Sequence, residues 1–189
     1  MPKIGMEPIR RDALVKATIA EIGAVGSLDV TVGQIARRAG VSSALAHHYF
    51  GGKDQIFLAA MRHILSDFGN EARARLEQAR TPRARLAAVI EASFAAVNFQ
   101  TEVVSAWLNF YVQAQTNPEA LRLLRIYHAR MRSNLIHDLR PLCGARAPGI
   151  AEGIAAMIDG FYIRASVGTD AGLAQRRVLD YIDTQVEAP

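Results

Sequence analysis

The apolar positions of this chain recur at intervals of three and four almost from end to end, the spacing that stacks side chains on one face of an α-helix. Ile9, Ala13, Leu14, Ala17, Ile22 and Val25 form the first such stripe, opposite Arg10, Arg11, Lys16 and Glu21, and Gly26 closes it. Thr31 then predicts an N-cap, with Gln34 in the capping-box position and Ile35, Ala36 and Ala39 facing inward. Gly40 ends that short helix. Val41 and Ser42 open another, which Gly51 and Gly52 terminate, and from Lys53 a longer stripe runs through Ile56, Phe57, Ala60, Met61, Ile64, Leu65 and Phe68 toward Arg80.

Beyond Arg80 the predicted helices lengthen. Thr81-Pro82 and Asn117-Pro118-Glu119 each set a capping side chain before a proline at the first helical position, predicting helices to about Phe99 and about Leu139. Thr101 caps a run through Trp107 and Tyr111. Pro141 to Pro148 reads as a loop, and helical patterns over Gly149 to Val167 and Leu173 to Val186 flank a Gly168-Thr169-Asp170 turn. Val103-Val104 and Asp29 to Val32 could be locally extended, but neither has an alternating partner and a hairpin turn. The expectation is an all-α chain of about nine helices.

Half of the 189 residues are hydrophobic, enough for a real core, and the formal net charge of +4 suits a polyanionic partner without specifying one. The single cysteine, Cys143, excludes an internal disulfide and fits a reducing compartment. The opening Met-Pro-Lys-Ile-Gly-Met-Glu lacks the apolar run of a signal peptide, and no stretch approaches the roughly 18 apolar residues of a membrane span. A cytoplasmic protein without a membrane partner is therefore expected. Nothing reads as a nucleophile elbow, a His-Glu-x-x-His pair or a phosphate loop, and His128 and His137 have no second ligand four residues on. Catalysis, a bound metal and a cofactor are not expected.

The stretch from Thr31 to Phe50 has the parts of a helix-turn-helix. Ala36 is small enough for two helices to cross closely, Gly40 permits the tight turn, and Val41 plugs the corner. Ser42 can cap the second helix, which leaves Ser43, Ala44 and His47, with His48 beside them, on the exposed face that enters a major groove in this motif. Thr31, Gln34, Tyr49 and Lys53 sit where phosphate contacts fix register, Lys53 at the start of the next helix. Two short helices joined through glycine also build plain bundle corners, Arg37-Arg38 could be a solvated face, and the two histidines ordinary surface groups.

The residues Thr31, Ile35-Ala36, Ala39-Gly40-Val41-Ser42, Tyr49-Phe50, Lys53 and Ile56 resemble the TetR family of repressors. Within it the chain is similar to choline-responsive repressors of glycine betaine synthesis. That closer likeness lies in Met-Pro-Lys-Ile-Gly-Met with Ile9-Arg10-Arg11, His48-Tyr49-Phe50, Ala106-Trp107-Leu108 with Phe110, Ser133-Asn134-Leu135, and Ile158-Asp159-Gly160 with Arg164-Ala165. Ala44 stands where the family usually has glycine, and Gly51-Gly52 replaces a more polar turn. The resemblance implies a DNA-binding domain over residues 8–68, with its motif at 31–50, and a sensing and dimerising domain over 69–189. It also implies double-stranded operator DNA as partner and choline as effector, with another cationic or an apolar small molecule as the alternative.

For the effector, Trp107 and Tyr111 share a helix face with Phe110 beside them, Phe94 and Asn98 follow Glu91 on the preceding segment, and Asp159 and Tyr162 lie one turn apart. A quaternary ammonium cannot donate a hydrogen bond from nitrogen, so aromatic faces and a carboxylate suit it. An aromatic stripe at this spacing also makes ordinary core. For the homodimer, Gly149, Gly153, Ala156 and Gly160 form a small-residue stripe beside Ile150, Ile154, Met157 and Phe161, and Leu179, Ile182 and Val186 line the last helix. Pairing these last two helices about a two-fold axis gives a four-helix bundle, although the stripe could instead pack within one chain. Two reading helices would then fall on successive major-groove turns about 34 Å apart, on a palindromic operator.

Overall fold

The computed structural model describes residues 5–188, so the opening Met1 to Ile4 of the family likeness lies outside the described residues. Nine α-helices and one short 3-10 turn make up the described residues, with no strand. They are α1 (Met6–Val25), α2 (Val32–Arg38), α3 (Ser43–Phe50), α4 (Lys53–Leu76), α5 (Pro82–Ser93), α6 (Thr101–Gln113), α7 (Pro118–Cys143), α8 (Ala147–Ala165) and α9 (Ala171–Glu187).

Most helix starts are set by local side-chain caps. Thr81 Oγ1 accepts from the Ala84 N–H at 3.2 Å, Asn117 Oδ1 accepts from Glu119 and Ala120, and Asp170 Oδ1 accepts from Leu173 at 3.0 Å. Three boundaries differ from the sequence expectation. α4 stops at Leu76, short of Arg80. α5 stops at Ser93 rather than near Phe99, because the Asn98 side chain donates to the Ala92 carbonyl at 2.8 Å and turns the chain back. Pro141 to Pro148 is not a loop: α7 carries Pro141 inside its last turn, a 3-10 turn covers Gly144–Arg146, and α8 begins at Ala147. Pro141 removes only one helical donor, near an end where the carbonyls already look outward for partners.

Two cores organise the chain. The first joins Leu14, Ile22, Ile35, Ala46, Phe57 and Met61 to Trp107 and Phe110 of α6, so α6 packs against α1 and α4, the helices that carry the helix-turn-helix. α1 approaches α6 closely at Gly23, where a Cβ would run into the Glu102 backbone and side chain. The second core joins Leu86, Ile90, Leu135, Leu139, Ile154, Val178 and Ile182. α4 serves both, with Phe57 and Ile64 in the first and Phe68 and Leu76 against the second.

Candidate functional site: a DNA-reading corner and an aromatic box

At the corner, both caps expected from sequence form. Thr31 Oγ1 accepts from the Gln34 N–H at 3.2 Å, while Gln34 Oε1 accepts from the Thr31 N–H at 2.7 Å and from its hydroxyl at 2.8 Å. Ser42 Oγ accepts from the Leu45 N–H at 3.2 Å and starts α3. Gly40 takes φ 69, the left-handed conformation that glycine adopts freely, and the following Val41 N–H reaches the Ala36 carbonyl at 3.0 Å. Ala36 and Ala46 are buried where the helices cross, and Ser43, Ala44, His47 and His48 are exposed.

The polar atoms still free at this corner are a subset of those its side chains carry. The Gln34 oxygen is used by the cap, leaving its amide N–H groups for an anion. Lys53 Nζ donates one of its three hydrogens to the Leu28 carbonyl at 3.0 Å, tying the α1–α2 connection to the start of α4. His47 Nδ1 lies 3.1 Å from the Gly51 carbonyl, which can only accept, so the neutral ring carries its proton on Nδ1 and offers Nε2 outward as an acceptor. Tyr49 is half-buried, and the Arg11 guanidinium lies 5.1 Å from the centroids of both Tyr49 and Phe50. Of the arginine pair, Arg38 bonds Glu21 of α1 at 2.5 Å, so it braces the corner from behind.

In the C-terminal part, the structure brings Phe94, Trp107, Tyr111, Asp159 and Tyr162 into one cluster. Trp107 lies 6.3 Å from Tyr111 and 6.2 Å from Tyr162, and Phe94 lies 6.3 Å from Tyr162, centroid to centroid. Tyr127 of α7, which the sequence reading missed, packs nearest to the indole at 4.8 Å. Its signal was available, since Ala120, Leu124, Tyr127 and Met131 recur at helical spacing on α7. Phe99 and Phe161 extend the cluster beside Phe94, and His128 Nε2 lies 3.0 Å from the Tyr111 hydroxyl.

Not every candidate joins it as expected. Glu91 does not: its carboxylate faces away and pairs with Arg75 at 3.0 Å. Phe110 is fully buried behind Trp107 against Phe57 of α4, as core rather than lining. Asn98 is buried with its amide committed to Ala92. The Tyr162 hydroxyl is also committed, to the carbonyls of Ser93 at 2.7 Å and Asn98 at 3.2 Å, so Tyr162 presents its ring rather than its oxygen. Of the residues expected at a dimer seam, Ile182 is fully buried in the chain's own second core and Gly153 lies against the Tyr181 side chain of α9.

The electrostatics of the box follow from burial. Asp159 is held above the usual carboxylate range by loss of water, with the Tyr111 hydroxyl and His128 pulling the other way. Tyr111, Tyr127 and Tyr162 are raised, first by burial and further by neighbouring negative charge, so their rings stay neutral. Neutral rings with electron-rich faces beside a carboxylate are chemically suited to attract a cation.

Residues 14–60 match the bacterial regulatory proteins of the tetR family, and residues 82–187 match the C-terminal part of the BetI-type transcriptional repressors. The chain is 55% identical over 190 residues to the HTH-type transcriptional regulator BetI of Brucella suis, covering 98% of this chain and 96% of that protein. The chain belongs to the TetR family. It is a transcriptional repressor of the BetI type, and its relatives are regulators rather than enzymes. The BetI of Agrobacterium fabrum is 52% identical over 192 residues, covering 100% of this chain and 93% of that one. Among solved TetR-like folds, a transcriptional regulator from Saccharomonospora viridis in complex with choline superposes with TM-score 0.83 at 22% identity, covering 94% of this chain and 97% of that one. A regulator from Pseudomonas aeruginosa superposes with TM-score 0.81 at 23% identity, over 95% and 91% of the two chains. No helix among the described residues is long and apolar enough to cross a membrane.

Proposed function

We propose that this TetR-family repressor binds a palindromic operator as a homodimer and responds to choline, controlling the genes that convert choline to glycine betaine. The observation that carries the reading is the aromatic box: Trp107, Tyr111, Tyr127 and Tyr162 gathered with the half-buried Asp159 carboxylate. A trimethylammonium group is attracted to aromatic faces and balanced by one carboxylate, and having no N–H it needs no hydrogen-bond acceptor. A choline-bound regulator of the same fold supports this choice of effector.

At the DNA end, Ser43, Ala44 and His47 face the major groove, with Ser42 and His48 flanking and Thr31, Gln34, Tyr49 and Lys53 toward phosphates. Homodimer pairing uses the outer faces of α8 and α9. There the exposed Ala156 and Ile163 share a helical stripe with the half-buried Gly160, and Val167 follows in the turn after α8, Ile163 and Val167 being 59% and 82% exposed. Effector binding reaches the DNA end through α4, because Tyr127 packs on Phe68 and Trp107 packs through Phe110 on Phe57 of that helix. A tilt of α4 changes the separation of the two α3 helices and so the operator affinity.

The test is a gel shift on the DNA upstream of the protein's own gene, titrated with choline and with betaine aldehyde. A salt-weakened shift that choline alters supports the proposal. A shift untouched by choline but altered by another amine would assign a different effector.

A further inference from the structure

A groove of about 660 Å³ runs between α4 and α7, within the roughly 300–1,000 Å³ range of small-molecule sites. Its floor is apolar, built from Leu65, Phe68 and Leu76 of α4, Val89 of α5, and Leu123 and Tyr127 of α7. Its polar lining is one-signed: Arg62, Arg73 and Arg130 border it, and no aspartate or glutamate does. Among the described residues none of these three guanidiniums has an ion-pair partner, and Arg73 donates only to Asn70 Oδ1 at 3.2 Å. The acidic groups nearby on α4 are engaged elsewhere, Asp67 with His63 at 3.3 Å and Glu71 with Arg75 at 2.8 Å.

We infer that this groove is a second ligand site, for an amphiphilic anion: a straight apolar chain ending in a carboxylate or phosphate. Apolar walls remove the chain from water, and unpaired guanidiniums receive the headgroup by charge-assisted hydrogen bonds. The same rim repels a quaternary ammonium, so the groove and the aromatic box select opposite charges. They share one side chain. The Tyr127 ring lines the groove and packs 4.8 Å from Trp107, so occupation of either site acts on the wall of the other.

Trp107 is the only tryptophan, so its fluorescence reports on that wall. The probes are decanoate, decyl phosphate and the uncharged decan-1-ol, all below micelle formation, with calorimetry alongside. Decanoate and decyl phosphate should both bind and shift Trp107 emission, with decanol about tenfold weaker. If only one of the two anions binds, that headgroup is the site's ligand. Arg62→Gln with Arg130→Gln should weaken the anions by about tenfold while leaving the circular-dichroism melt and choline binding unchanged. Equal binding of decanol and decanoate, or an unchanged decanoate affinity in the double variant, overturns the inference. So does a decanoate dissociation constant that rises with choline without reaching a plateau, because that behaviour means one shared site. A protein that fails to bind choline leaves the decanoate result standing on its own.

Discussion

The corner made by α2 and α3 and the aromatic box are built in opposite ways. The corner is short-range: Thr31 with Gln34 and Ser42 with Leu45 set its two helices over three residues each. The box is long-range, since Tyr162 of α8 reaches back to carbonyls at Ser93 and Asn98, and Trp107 of α6 meets Tyr127 of α7. Local bonds make a rigid presenting surface whose side chains stay free for DNA. A site assembled from four helices responds to whatever enters it, because its walls belong to elements that can shift relative to one another.

Substitutions can break this contrast. The largest effect is expected at Phe110, fully buried between Trp107 and Phe57 where the two regions join. Phe110→Ala should cost about 3–5 kcal/mol, measured by urea unfolding, and should uncouple choline from DNA release if a folded fraction remains. Next is Tyr162→Phe, which keeps the ring and strips two carbonyls of their donor, expected to cost about 1–3 kcal/mol. Its melting temperature should fall while operator affinity without effector stays near wild type; a matching loss of DNA affinity would show that the box is not separable from the corner.

Ser42→Ala reverses that pattern. It removes the α3 cap and should cost about 1 kcal/mol, with a drop in operator affinity and little change in choline binding by calorimetry. Asp159 should leave a slope rather than a fixed loss. Its folded-state value is raised by burial, so the folded chain holds the proton more tightly and stability falls as pH rises from the ordinary carboxylate range to that raised value. Asp159→Asn should flatten this segment of a stability-against-pH curve and abolish the choline-induced rise in melting temperature.

The smallest effect belongs to Arg83 and Asp183, a pair joining α5 to α9 at 2.5 Å with side chains 32% and 50% exposed. Arg83 lowers the Asp183 value, so this contribution is present above the ordinary carboxylate range and lost as pH falls through the lowered one, the opposite sign to Asp159. Solvent screening holds it below about 1 kcal/mol, and Arg83→Ala should move the melting temperature only slightly.

What the amino-acid sequence determined by itself is whatever closes within a few residues. The caps at Thr31, Ser42, Thr81 and Asn117, the turn at Gly40, the exposed face of α3 and the all-helical class all follow from side chains meeting their own backbone or from helical spacing. The composition of the aromatic cluster was half legible: Trp107, Tyr111, Asp159 and Tyr162 could be nominated from their spacing along single helices. Only the tertiary structure decided which of them meet. Helical spacing fixes which side chains share a face but not the helix's rotation against a partner dozens of residues away, and that rotation turned Glu91 toward Arg75, Ile182 into the core and Tyr127 onto Trp107. The end of α5 was decided in the same way, by an Asn98 bond and a Tyr162 hydroxyl arriving from α8 that satisfies the carbonyls the broken helix leaves open.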